Sequence, residues 1–146
     1  MDNVSSFKIF ILTIVGAIGS GIANLLGGWD MALQTLIIFM GIDYLTGLIV
    51  AGVFKKSNKT QTGALESKAG WKGLCKKGMT LLIVLVATRL DMAIGSNIIR
   101  DAVVIGYMVN EAISITENAG LMGLPIPPVI TKAIDVLKRQ SEKEGE

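Results

Sequence analysis

The sequence predicts an all-α integral membrane protein of about four transmembrane helices, with a short amphipathic helix at its C-terminal end. Three observations lead there. Half of the 146 residues are hydrophobic (51%) and only 18% are charged, too few charges to clothe a soluble domain of this size. The apolar residues gather in runs close to the roughly 20 residues that a helix needs to cross a hydrocarbon core. Lysines concentrate between the second and third of those runs. The same figures exclude other classes. A net charge of +2 and 5% aromatics give neither the charge nor the stacking surface of a nucleic-acid binder. With no histidine and a single cysteine, Cys75, the chain has no internal disulfide and no histidine-based metal or triad chemistry. Cys75, between Leu74 and Lys76, reads as a small interfacial residue. No catalytic, cofactor-binding or metal-ligating residue is assigned.

The first candidate span covers residues 7–26, followed by a turn of Gly27, Gly28, Trp29 and Asp30. Its leading residues carry one lysine offset by Asp2, and no A-x-A site follows, so it reads as a retained helix rather than a cleaved signal. The second span covers 31–54, interrupted by Gln34 and Asp43. Residues 55–77 then change character, with seven lysines against one glutamate. The third span, 78–94, contains Arg89 and Asp91, and the fourth covers 98–119 beyond a Gly95-Ser96-Asn97 turn. Residues 1–124 form the transmembrane helical domain and 125–146 a cytoplasmic amphipathic tail. Positive charge marks the cytoplasmic side, so the basic loop 55–77 and both termini are expected inside and the 27–30 turn outside. The loop also suits anionic lipid headgroups.

The faces of these helices carry the functional reading. In the first span Gly16, Ser20, Ala23, Asn24 and Gly27 share one arc, the small-residue pattern that lets membrane helices approach closely. Gly47 and Ala51 do the same in the second span, near Asp43. The intramembrane charges Asp43, Arg89 and Asp91 must face protein or water, and Arg89 is a candidate partner for Asp43. In the fourth span Arg100, Tyr107, Asn110, Glu111, Ser114, Glu117 and Asn118 fall in one stripe about 120° wide. Ile105, Met108, Ala112, Ile115 and Ala119 occupy the other side, which is expected to meet lipid. The stripe suits a pore lining, contact with another helix of the same chain, or a subunit interface. Gly123-Leu124-Pro125-Ile126-Pro127-Pro128 ends the helix. Val129, Ile130, Ala133, Ile134 and Leu137 then form one apolar face opposite lysines, Asp135 and Arg139. That tail helix is expected on the membrane surface or against a neighbouring subunit, and the last residues at a solvated end.

The order of these features resembles the toxin-secretion/phage-lysis holin family. The resemblance rests on Asp-Tyr-Leu-Thr-Gly at Asp43 to Gly47 with Ala51-Gly52, on Gly70-Trp71-Lys72-Gly73-Leu74, and on Lys76-Lys77 leading the apolar run to Leu90-Asp91. It continues through Asn110-Glu111, Ser114-Ile115, Glu117-Asn118 and the G-x-P-x-P of Gly123 to Pro127. It covers about residues 30 to 140; the first span matches only in being a membrane helix. What it implies is a non-enzymatic protein without cofactors, in the host bacterial cytoplasmic membrane. Such a protein self-associates in lipid and opens lesions through which an endolysin, or in some loci a toxin, reaches the cell wall, without necessary direct contact. The alternative is a small membrane scaffold or transporter accessory subunit, whose polar faces serve only for docking.

Overall fold

The structure, a computed structural model, describes residues 2–144, with side chains placed for 4–143. The final Gly145 and Glu146 of the expected solvated end lie outside the described residues. Five α-helices and no strand are found among the described residues: α1 (Asp2–Leu25), α2 (Met31–Ile49), α3 (Ser67–Ile94), α4 (Ile98–Leu121) and α5 (Pro128–Glu144). A π-helical turn, Val50–Phe54, extends α2. Two segments are long and apolar enough to cross a membrane, Val4–Leu25 and Met31–Phe54. α3 and α4 do not reach that level, and four crossings remain a reading of the sequence.

Each helix boundary has a local cause. α1 stops where Gly27 and Gly28 take φ +93° and +105°, and the Gly28 N–H closes on the Ala23 carbonyl at 2.9 Å. Asp30 caps α2 by accepting from the Leu33 N–H at 2.8 Å. α2 and its π turn end at Lys55, which adopts φ 53°. The loop beyond is tied to itself, Ser57 N–H to the Gly63 carbonyl at 3.0 Å and Thr60 Oγ1 to the Ala64 carbonyl at 3.0 Å. α3 begins at Ser67, inside the basic segment, and so is longer than the 78–94 span. Gly95, at φ +72°, ends it.

α4 is the centre of the bundle, with α2, α3 and α5 all packed on it. α2 runs parallel to α4: Asp30 meets Arg100 at one end, and Asp43 and Thr46 meet Asn118 towards the other. α3 and α5 run antiparallel to α4, since Asp91 lies beside Arg100 and Ser141 beside Ala102. The core comprises Leu26, Leu33, Leu36, Met40, Val84, Val104 and Met108. Leu33, Leu36, Val84 and Val104 are wholly buried. The helical spacing of Leu33, Leu36 and Met40 puts one stripe of α2 inward. Ile38, Ile42, Leu45, Ile49 and Val53 are left on the outside.

One expectation is corrected here. Met108 and Ala112, assigned to a lipid-facing side of the fourth span, are buried. α4 is flanked on several sides, so both its faces meet protein. α5 has a packing partner within its own chain. The break at Gly123 to Pro128 turns it back along α4 of its own chain, where Ile134 is buried against Val109 and Ala112.

Candidate functional site

Most charges of the apolar segments are drawn into two clusters along the α2–α4 pair, Arg89 and Glu117 lying outside both. In the first, the Lys77 ammonium of α3 sits between two carboxylates, 2.8 Å from Asp43 Oδ2 of α2 and 2.5 Å from Glu111 Oε2 of α4. All three side chains are nearly enclosed, at 14%, 9% and 13% exposure, so each charge depends on the others for what water would supply. Lys59 comes down from the loop to 3.9 Å from Asp43 Oδ1 and brings the four charges to neutrality. Asn118 Nδ2 donates to Asp43 Oδ1 at 3.2 Å and to Thr46 Oγ1 at 2.9 Å, and Ser114 lines the same cavity as Asp43. Asn118 Nδ2 lies 3.8 Å from where a Cβ on Gly47 would stand, an ordinary contact distance. The cluster forms the floor of a cavity of about 410 Å³ between α2, the loop, α3 and α4, walled by Tyr44, Leu48 and Leu65.

The second cluster centres on Arg100. Its Nε donates to the Leu26 carbonyl at 2.7 Å. Nη1 donates to Asp30 Oδ2 at 2.6 Å and to Asp101 Oδ1 at 3.2 Å. A Cβ on Gly27 would run into the guanidinium, so Gly27 serves both its turn and this contact. Burial works to raise the Asp30 carboxyl. The bond from Arg100, the Leu33 N–H and the Arg100 charge outweigh it and hold the group below its ordinary value of 3.8. The Asp91 carboxylate accepts from the Ile99 N–H at 3.1 Å and the Arg100 N–H at 2.7 Å, capping α4 from the end of the preceding helix.

Both clusters join helices; neither pairs a nucleophile with a base. Among the described residues no three His, Cys, Asp or Glu side chains are grouped to hold a metal ion.

Residues 20–139 match the model of a bacteriophage holin family. The chain belongs to that family. Among its relatives, a "probable holin" of Bacillus phage phi105 is 33% identical, over 78% of this chain and 79% of its own. Two further relatives carry no functional name. One, from Listeria innocua, is 35% identical over 93% of this chain and 94% of its own. The other, a 14.9 kDa protein of Clostridium perfringens, is 34% identical over 96% and 99%. No solved structure matches the chain. The matched family is one of holins rather than of catalysts.

The residues singled out in this holin-family sequence are distributed as follows. Glu111 and Asn118 converge on the Asp43 cluster, and Ser114 lines its cavity. Arg100, on the same stripe, belongs to the other cluster. Tyr107 is half-buried beside the core, while Asn110 and Glu117 are exposed. The stripe is thus occupied by different neighbours along its length. Arg89 does not reach Asp43; it lies exposed, with Nη1 3.8 Å from Met92 Sδ. Lys77 holds the place instead, because the antiparallel register sets Arg89 twelve residues, about 18 Å of helix, away from it. Of the small residues, Ala23 and Ala51 are buried. Gly27 and Gly47 face Arg100 and Asn118, whereas Gly16 has no neighbour within 4 Å of its Cβ position and Ser20 is exposed.

Four charged participants were missed by the sequence reading: Lys77, Lys59, Asp30 and Asp101. Asp30 carried a usable signal, a capping residue directly before an apolar run. Lys77, the last lysine before the third run, did not differ visibly from its neighbours.

Proposed function

We propose that the chain self-associates in the bacterial cytoplasmic membrane and opens lesions that let a cytoplasmic endolysin, or a toxin, reach the cell wall and so lyse the host. The observation that carries this reading is the match of residues 20–139 to the holin family. The fold supports it. α1 and α2 are apolar enough to cross a membrane, and Asp43 of α2 and Glu111 of α4 are neutralised from α3 and the loop. Charges matched in this way let a helix bundle lie in lipid without leaving an unpaired ion there. The outer surface of α1 has few neighbours within the chain: Phe7, Phe10, Leu12, Val15 and Ile18 are exposed, and lipid or further copies are their occupants in this reading. In this reading the loop and the N-terminus are cytoplasmic, a side that the lysines of 55–77 favour.

The test is expression in a bacterium that also makes a cytoplasmic endolysin, with membrane potential followed by a voltage-sensitive dye. The expected result is abrupt loss of potential followed by lysis, mistimed or blocked by Glu111→Leu. A membrane scaffold would leave the potential intact at the same expression level, and that result would overturn the proposal.

A further inference from the structure

The bundle has two kinds of outer surface. On α2, Ile38, Ile42, Leu45, Ile49 and Val53 are exposed, and on α3 Met79, Leu82, Val86 and Leu90 are. These are surfaces that lipid accepts. α5 is different. Its inner side docks through Ile134, buried with Val109 and Ala112, and Phe39 of α2 packs on that same cluster. Phe39 lies well inside Met31–Phe54, the segment fit to cross a membrane. α5 therefore stands beside the interior of the span rather than beyond its end. Ser141 fixes the other end of the docked helix, with its hydroxyl 3.3 Å from the Ala102 carbonyl to which it donates.

The outward side of α5 carries Lys132, Asp135, Lys138, Arg139 and Glu142 beside Val129 and Val136, all exposed. A row of charges at this depth is not tolerated against hydrocarbon, and intramembrane ionisable groups face protein or water. The adjoining groove, about 470 Å³, sets Tyr107, Asn110 and Ser141 among Ile83, Val103 and Ile113. The part of the α4 stripe left uncovered thus opens beside α5.

We infer that α5 lines the water-filled face of the assembled lesion, remaining docked on α4 while its charged side meets water and the α2–α3 surface meets lipid. The inference rests on the lesion-forming function proposed above. It reassigns the wet surface from α4, whose stripe is largely occupied by α2 and α3, to the helix behind it. It also carries the C-terminal end of α5 back towards the side of the 27–30 turn.

The experiment uses the full chain with Cys75→Ser, reconstituted in dye-loaded vesicles of bacterial phospholipid. Adding Gly106→Cys and Ser141→Cys allows α5 to be pinned, since a Gly106 Cβ would lie 3.2 Å from Ser141 Oγ, a separation suited to a disulfide. The pinned protein should release dye within twofold of its own reduced form, which controls for folding. A more than tenfold loss on oxidation, restored by reduction, would mean that α5 must leave α4, and would overturn the inference. In separate single-cysteine variants, a membrane-impermeant thiol reagent should modify Asp135→Cys in leaking vesicles and leave Leu45→Cys untouched. Equal labelling of the two, or an inert Asp135→Cys while dye escapes, would also overturn it; this pair decides the matter if the pinned variant does not fold. If the Cys75→Ser chain releases no dye at all, the lesion-forming function itself fails and this inference with it.

Discussion

Replacing Lys77 with methionine removes the one cation shared by Asp43 and Glu111 while keeping most of the side chain's length. Lys77, Lys59, Asp43 and Glu111 sum to zero charge, so Lys77→Met leaves the enclosure at −1. Lys59 cannot make up the loss, since it is 55% exposed and 3.9 Å from Asp43. Removing one partner from a buried ion pair costs about 3–5 kcal/mol, whereas polar pairs between membrane helices average about 0.6 kcal/mol in measured cycles. Two ion-pair contacts are lost here in a nearly closed site, so we expect a loss of about 3 kcal/mol, roughly 150-fold in the folded-to-unfolded ratio. The double variant Lys77→Met/Glu111→Gln restores neutrality and should recover more than half of that. Unfolding in detergent by a denaturing surfactant, followed by circular dichroism, gives both values. The reasoning fails if Lys77→Met unfolds like the unmodified chain, or if the double variant is less stable than the single one by the full cost of a second independent loss.

Other outcomes follow from the opposite end of the bundle. Because the Asp30 carboxyl is held below 3.8 in the folded chain, its contribution is present above that ordinary value and lost as pH falls through the lowered one. Asp30→Asn should therefore lessen the acid sensitivity of unfolding, measured from pH 6 to pH 2, and an unchanged acid limb would count against the Arg100 pairing. Asp91→Ala removes the cap of α4 and should cost about 1 kcal/mol, detectable as a lower midpoint of unfolding in detergent. Gly27→Ala meets both the φ of +93° and the Arg100 guanidinium, and should cost at least the roughly 1–2 kcal/mol of a left-handed L-residue. Gly28→Ala has an equally positive φ but no neighbour within 4 Å, so the difference between the two variants reports the Arg100 contact alone.

Helices that begin or end on a glycine, a capping aspartate or a proline were legible in the sequence, because those residues act within their own turn. Hence the 27–30 turn, the Gly95 stop and the break before Pro128 were readable, as was the part of the α5 apolar face that docks, Ile134 and Leu137, though Val129, Ile130 and Ala133 of that face are exposed. The start of α3 was not, since lysine-rich residues 67–77 lack an apolar run yet form helix as readily as the segment they lead. Angular position around α4 was also readable, and it grouped Glu111, Ser114 and Asn118 correctly on one side. Which neighbour faces each position depends on the register between helices, and no periodicity within one helix contains that. Arg89 and Lys77 were therefore indistinguishable as partners for Asp43. For the same reason, the apolar side of α4 could be assigned to lipid when α5 lies against it.

Lys77 lies 34 residues beyond Asp43, and Glu111 a further 34 beyond Lys77. At about 5–20 residues per second of synthesis, each interval lasts roughly 2–7 s. Asp43 thus leaves the ribosome well before the cation that will neutralise it, and that cation arrives before its second anion. The nascent α2 must spend this time with its carboxylate protonated, wetted or sheltered by the insertion machinery. Its final seat in the membrane is set only when α3 and α4 come to it.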